Sequence, residues 1–257
     1  MIDNKKYETR RPKESEMIFG TRAVIEAIDA GQTIDKILIR RDMSSTTGRE
    51  LMARLHDLPV AIQRVPVEKL NQYTDKNHQG VIAFLSPIEF TPLEMLLPTL
   101  YEQGKTPLLV VLDGITDVRN FGAIARTCAC AGVDAIIIAS RSGVAINGDA
   151  VKTSAGALYT LPICKVTNLQ NALQYLVDSG VNVVAATEHT TKNYTDANLT
   201  GPAAILMGSE GFGIYEANLK MATDKVSIPM TGSIESLNVS VAAGVLIYEA
   251  IRQRNSK

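Results

Sequence analysis

The sequence predicts an α/β fold in two parts, a small mixed domain followed by a larger one built on a mostly parallel sheet. Three observations carry this. Apolar segments of helical and strand period alternate along the chain from Met17 onward. LLVVLD (Leu108–Asp113) is a continuous apolar run ending in an acid, as a strand buried on both faces requires. Pro87, Pro92, Pro98 and Pro107 cluster between the two series. With 257 residues, 46% hydrophobic and 21% charged, the chain can bury one large core or two ordinary ones, which excludes a disordered chain and a disulfide miniature.

The elements follow in order. Residues 1–16 hold five cations (Lys5, Lys6, Arg10, Arg11, Lys13) and four acids (Asp3, Glu8, Glu14, Glu16) with no apolar run, which predicts a solvated tail and no signal peptide. A first domain, 17–86, reads as helix 21–30 stopped by Gly31, strand 34–39, helix 46–56, and strands 60–65 and 81–85. Residues 87–106 read as a linker, in which Thr91 can cap a turn with Pro92 at its start and Glu94 closing a capping box. The second domain, 107–257, reads as strand 108–113, helix 122–131, strand 135–139, helix 168–179, strands 181–186, 203–207 and 226–228, and a final helix 238–254. Strands followed by helices imply a parallel sheet covered on both faces.

Lys plus Arg total 26 against 27 for Asp plus Glu, so the bulk cationic charge of a non-specific DNA coater is absent and any nucleic-acid contact must be local. No stretch approaches the roughly 20 apolar residues of a membrane span, so a cytoplasmic protein without membrane contact is expected. Cys128, Cys130 and Cys164 are an odd number without a paired ligand cluster, which reads as reduced packing thiols and no metal site. His56 reads as a surface residue at a helix end; His189 follows a strand at the edge where a ligand would bind.

Ligands of parallel sheets sit at the carboxyl ends of strands, so the loops after Asp113, Met207 and Ile228 are the ones to inspect. The first runs from Gly114 to Gly122 and leads into a helix carrying Arg126, with Asn120 able to cap it. The second, Gly208-Ser209-Glu210-Gly211-Phe212-Gly213, puts three glycines and a carboxylate after a strand, yet meets neither the GxGxxG nor the P-loop spacing. The third runs from Pro229 through Ser236 and Asn238 into an apolar helix that either residue can cap. Each alone is compatible with an ordinary turn or cap; three polar, glycine-bearing loops at one sheet edge point to a site.

NFGAIART (120–127), MGSEGFG (207–213) and SIPMTGSIESLNVSVAAG (227–244) resemble, in order and spacing, the three motifs of the SpoU (TrmH) branch of the SPOUT RNA methyltransferases. IFGTRAVIEAI (18–28) and HQGVIAF (78–84) resemble the start and end of that family's ribosomal-protein-like substrate-binding domain. The resemblance implies a C-terminal parallel-sheet domain with a deep trefoil knot, a small N-terminal substrate domain and a homodimer with its sites near the subunit interface. It implies S-adenosylmethionine held by backbone of Gly208, Ile228 and Leu237, with Met207, Pro229, Glu210, Ser236 and Asn238 adjacent, S-adenosylhomocysteine as product and no metal. Asn120 and Arg126 would face the target ribose, with Glu210, Ser236 and Asn238 completing the catalytic set. Val118 and Arg119 stand where many relatives have proline and histidine, a departure that leaves Asn120 and Arg126 in place.

The implied reaction is methyl transfer to a ribose 2′-hydroxyl of structured RNA, with a guanosine of 23S rRNA or its precursor particle as the expected target. A guanidinium stays protonated in proteins, so Arg126 is expected to bind the phosphate and the hydroxyl and not to act as base. Arg22, Arg40, Arg41, Arg49 and His78 are the expected RNA contacts of the first domain, each equally readable as a surface charge; Tyr73 and Phe84 offer stacking faces or core. The competing readings are the same chemistry on tRNA and a non-catalytic ribosome-assembly factor; a dehydrogenase lacks its fingerprint.

Overall fold

The computed structural model describes residues 17–56, 58–141 and 143–256; the expected tail, 1–16, lies outside them. The chain divides after Ser86 into two compact units.

The first unit is a four-stranded sheet, β1 (Met17–Phe19), β2 (Ile34–Arg40), β3 (Ala61–Val65) and β4 (Val81–Leu85), in the order β1-β4-β2-β3. β4 runs antiparallel to both β1 and β2, whereas β2 and β3 are parallel. Helices α1 (Thr21–Asp29) and α2 (Thr46–Leu55) bury Val24, Ile25, Leu51 and Leu55 against one face, and α3 (Val67–Asn71) sets Leu70 against Leu38 and Ile82 on the other. Tyr73 and Phe84 meet edge to face within this second cluster, so they serve as packing and not as free stacking faces.

The second unit holds the expected parallel sheet and four more elements than the periodicity suggests. The segment expected as a linker is helix α4 (Leu93–Glu102), which buries Leu93, Leu97 and Leu100 in the core. Its N-cap position is Pro92, with no side-chain cap, so Thr91 does not cap it; the Thr91 amide instead bonds Ile163 O. The sheet is β5 (Leu108–Asp113), β6 (Ala135–Ala139), β7 (Ile163–Val166), β8 (Asn182–Ala186), β9 (Ala203–Gly208) and β10 (Asp224–Val226), ordered β10-β8-β9-β5-β6-β7 and parallel throughout. Its helices are α5 (Val118–Ala131), α6 (Gly148–Thr153), α7 (Leu169–Asp178), α8 (Glu216–Leu219) and α9 (Val239–Asn255). β7, α6 and α8 escaped the sequence reading because four to six residues are too few to display a period.

Alternation along the strands divides the core into two layers. Leu108, Val110, Leu112, Ile205 and Met207 pack under α5 and α9, while Leu109, Val111, Ala204 and Leu206 pack under α4 and α7. Burial pushes the Cys128 and Cys164 thiols up to about 12, which makes both inert packing groups; Cys130, in contrast to the expectation, is exposed on α5. No helix among the described residues is long and apolar enough to cross a membrane.

α5 lies close to α6 because Gly122 has no side chain: a Cβ there would stand 2.2 Å from Thr153 Oγ1 and 2.8 Å from the Thr153 carbonyl carbon. Gly122→Ala forces that helix pair apart. A lower urea midpoint, equivalent to about 1–3 kcal/mol of overpacking, is expected despite alanine's helix propensity advantage of up to ~1 kcal/mol.

Candidate active site

The chain runs outward from β5 through β6 and β7, then crosses to β8, β9 and β10 on the other side. The connections leaving β5 and β9 therefore diverge, which makes this edge the expected ligand position in such sheets. Register pairs Asp113 with Gly208, so the two loops start side by side.

Asp113 holds them together. Its buried carboxylate accepts from Tyr215 N (2.9 Å) and Asn218 Nδ2 (2.8 Å), tying the end of β5 to the segment after β9. Burial raises its pKa above the usual carboxylate value, and the two hydrogen bonds partly oppose that shift. The loop after β9 folds back on itself through paired Ser209–Gly213 backbone bonds (2.8 and 3.0 Å). Only glycine fits at 208, since a Cβ would lie 2.0 Å from the Gly213 carbonyl carbon. Glu210 is carried at the tip of this turn.

The loop after β5 enters α5 through Asp117, whose carboxylate caps the helix by accepting from Arg119 N (2.6 Å) and Asn120 N (3.3 Å). The cap is thus Asp117 and not Asn120, which leaves the Asn120 amide free to reach across. Asn120 Nδ2 donates to Glu210 Oε1 (3.2 Å), and Asn238 Nδ2 donates both to Asn120 Oδ1 (3.0 Å) and to Glu210 Oε1. Val239 N also donates to Glu210 Oε1 (3.3 Å). Of the two residues able to cap the last helix, Asn238 does so, accepting from Ser240 N (3.0 Å).

Beside this cluster lies a cleft of about 640 Å³ whose walls include Met207, Gly208, Glu210, Ile228, Ser236 and Leu237. Pro229 does not line it, and Asn238 stands beside it through its bond to Glu210. Arg126 is not brought into the cluster: it is exposed on α5, about 9 Å along the axis from Asn120, and makes no hydrogen bond or ion pair among the described residues. The sequence reading missed Thr187, Glu188, Phe212 and Glu235, which also line the cleft. Thr187 and Glu188 directly follow β8, so the rule of strand carboxyl ends could have found them. His189 instead turns outward, 3.4 Å from Glu188. Among the described residues no group of three or more His, Cys, Asp or Glu side chains gathers as metal ligands would.

In the first unit, Arg22 and Arg40 line a second cleft of about 470 Å³, and Arg41 is exposed next to Arg40. His78 is buried, and both ring nitrogens are engaged: Nδ1 accepts from Gly80 N (3.0 Å) and Nε2 pairs with Asn71 Oδ1 (2.9 Å). The ring offers no free polar atom to RNA and instead shapes the loop under Arg40.

Comparison with known proteins fits this arrangement. Residues 107–248 match the SpoU rRNA Methylase family, and residues 17–91 match RNA 2′-O ribose methyltransferase substrate binding. The chain belongs to the SpoU family of RNA methyltransferases. It is 37% identical over 243 residues to the 23S rRNA (guanosine-2′-O-)-methyltransferase RlmB of Photobacterium profundum, covering 93% of this chain and 98% of that one. It is 35% identical over 242 residues to a protein of Staphylococcus saprophyticus named for the TrmH family of tRNA/rRNA methyltransferases, covering 94% and 97%. The crystal structure of the SpoU methyltransferase AviRb from Streptomyces viridochromogenes with AdoMet aligns at a TM-score of 0.60 and 25% identity, over 94% of this chain and 91% of that one.

Two outcomes test this geometry. Asn238→Ala removes the α9 cap and one arm of the cluster, at a cost of about 1 kcal/mol read from the denaturation midpoint. Asn238→Asp keeps the cap but sets a carboxylate against Glu210, so it is expected to preserve more stability than the alanine variant while losing as much activity. Burial, and then the charge of Arg40, hold the His78 pKa below the usual 6.5. The unfolded chain therefore binds the extra proton first, and stability is expected to fall as pH drops below about 6.5. Thermal unfolding across pH 5–7.5 checks this, and a His78→Gln variant should flatten the response.

Proposed function

We propose that the protein transfers a methyl group from S-adenosylmethionine to a ribose 2′-hydroxyl of structured RNA, with a guanosine of 23S rRNA as the target. The observation that carries the reading is the Glu210 carboxylate, which fixes Asn120 and Asn238 at one wall of the large cleft. The cleft suits that cofactor in size and in charge. Among the described residues Glu188, Glu210 and Glu235 line it and no cation does, which matches a ligand that carries a sulfonium and an ammonium group. Gly208, Ile228 and Leu237 would hold it largely through backbone, with Met207 and Ser236 against it. When bound, S-adenosylmethionine supplies an electrophilic methyl group.

The chain's own residues then have mainly to align and to relay one proton. Glu210 Oε1 already accepts from three donors and so orients the amides, leaving Asn120 to face the ribose. Arg126, an exposed cation with no partner among the described residues, holds the neighbouring phosphate and the hydroxyl, favouring the alkoxide as it forms. The proton leaves to a phosphate oxygen or to water. RNA is held through Arg22, Arg40 and Arg41 of the first unit, whose loop His78 supports.

Two further features belong to this reading. Val241 and Tyr248 lie 51% and 53% exposed on one stripe of α9, a helix apolar on both sides, which fits a homodimer sealed along that face. The segment from β10 to α9 would be threaded as a deep trefoil knot. The substrate domain ahead of the methylase domain favours ribosomal RNA over tRNA, and the 37% identity to RlmB favours guanosine.

The deciding experiment supplies labelled S-adenosylmethionine with undermethylated 23S, 16S and transfer RNA pools and maps the modified ribose. Label at one guanosine of 23S RNA is expected. Arg126→Ala should reduce transfer by about 100-fold or more, and Arg126→Lys should not restore it, because an ammonium cannot replace a bidentate fork. Full turnover by Arg126→Lys would remove the assigned role. RNA binding without transfer to any pool, including precursor particles, would leave the assembly-factor reading.

A further inference from the structure

The smaller cleft, in the first unit, has chemistry of its own. Six of its lining residues are Thr21, Arg22, Arg40, Ser45, Thr47 and Gln79. Gln79 adopts φ +50, one of two non-glycine residues with positive φ among those described. That conformation is costly for a side chain with a Cβ, so something must hold it. The buried His78 ring does so by bonding the Gly80 amide, and Gly80 follows at φ +83. The result is a side chain set at the cleft's rim: Gln79 Oε1 accepts from Thr21 N (3.2 Å), which fixes the amide's orientation and leaves Nε2 with no partner among the described residues.

The arginines are available in the same way. Arg40 pairs with Asp42 (2.7 Å) and Arg22 stands 3.9 Å from Glu50, but all four side chains are at least 39% exposed, so these pairs are worth little and exchange readily for a phosphate. Two guanidinium groups and one amide NH₂ present donors only; Thr21, Ser45 and Thr47 contribute hydroxyls of either sense. The cleft, about 470 Å³, is larger than a phosphate alone needs and has room for one nucleotide.

We infer that this cleft takes a single unpaired RNA nucleotide, its phosphate on Arg22 and Arg40 and the acceptor-bearing edge of its base on Gln79 Nε2. The inference rests on the proposal that the protein acts on RNA and adds where, and in which form, the first unit reads it. A paired base keeps its edges in the duplex and cannot enter; a looped-out base can. The first unit thus selects RNA with a single-stranded loop, while the methyl-transfer site lies in the other unit.

The test measures binding of the whole chain to a stem-loop RNA and to a fully paired duplex of equal length, at several salt concentrations. The unsubstituted protein is expected to prefer the stem-loop by about tenfold or more. Gln79→Gly, which keeps the left-handed backbone and removes the amide together with its bond to Thr21 N, should bring the two affinities together while the chain still unfolds in a cooperative thermal transition. Arg22→Ala with Arg40→Ala should weaken binding to the stem-loop and lower its salt slope by about 0.7, the one single-strand phosphate that the two arginines share. An unaltered preference in Gln79→Gly overturns the base pocket, and an unaltered slope in the arginine variant overturns the phosphate contacts. No RNA binding by the unsubstituted protein overturns both this inference and the RNA reading beneath it, whereas retained methyl transfer with unaltered preference in Gln79→Gly overturns this inference alone.

Discussion

The parallel register of β5 against β9 is the constraint on which the site depends. It pairs Asp113 with Gly208, so the last residues of two strands far apart in sequence become neighbours at one sheet edge. From that point the chain has no choice but to diverge, since β5 leads to β6 on one side and β9 to β10 on the other. At that edge the polar residues of the two loops meet, Asn120 donating to Glu210, and the cleft beside them is lined by residues at and after the ends of β8, β9 and β10. A slip of the register would separate Asn120 from Glu210 without altering either loop.

Glu210 then converts proximity into orientation. A carboxylate can accept several donors, and its Oε1 gathers two asparagine amides and the first amide of α9. The last of these is an otherwise unsatisfied helix N-terminal group, so the same oxygen anchors the helix and positions the cluster. Because Glu210 and Asn238 are exposed and Asn120 is only half-buried, the arrangement does not carry the desolvation cost of a buried charge. Asp113 works from the opposite regime: buried, it depends on Asn218 and Tyr215 N for satisfaction, and so it locks the loop that Glu210 rides on.

The sheet and its edge were legible because buried parallel strands write long apolar runs, as Leu108–Asp113 and Ala203–Gly208 do. The site loops were legible because polar, glycine-bearing segments follow those runs. What sequence did not reveal was partnership. Asn120 reads equally well as a cap until Asp117, three residues earlier, is seen to take that role. The segment 87–106 reads as a linker because three prolines obscure its period, although α4 buries three leucines. His78 reads as a free polar residue because nothing local announces Asn71 and Gly80 as its ring's partners. Each of these errors concerns a choice between local patterns that only a distant or competing contact resolves.

The two units show opposite solutions to contact with a polyanion. A chain of formal net charge −1 gains little from non-specific attraction to RNA, so its few exposed cations must act where shape already favours the ligand. In the first unit, Arg22 and Arg40 sit on the wall of a cleft and are balanced by Asp42 and Glu50 until a phosphate competes. In the second, Arg126 is exposed on α5 with no partner among the described residues, while Glu188, Glu210 and Glu235 line the large cleft. On the proposed reading, the carboxylates would repel a phosphate from that cleft and leave it to the arginine on α5, separating the place for a cationic cofactor from the place for an anionic backbone. Such a division of charge would let two ligands of opposite sign bind without either occupying the other's position.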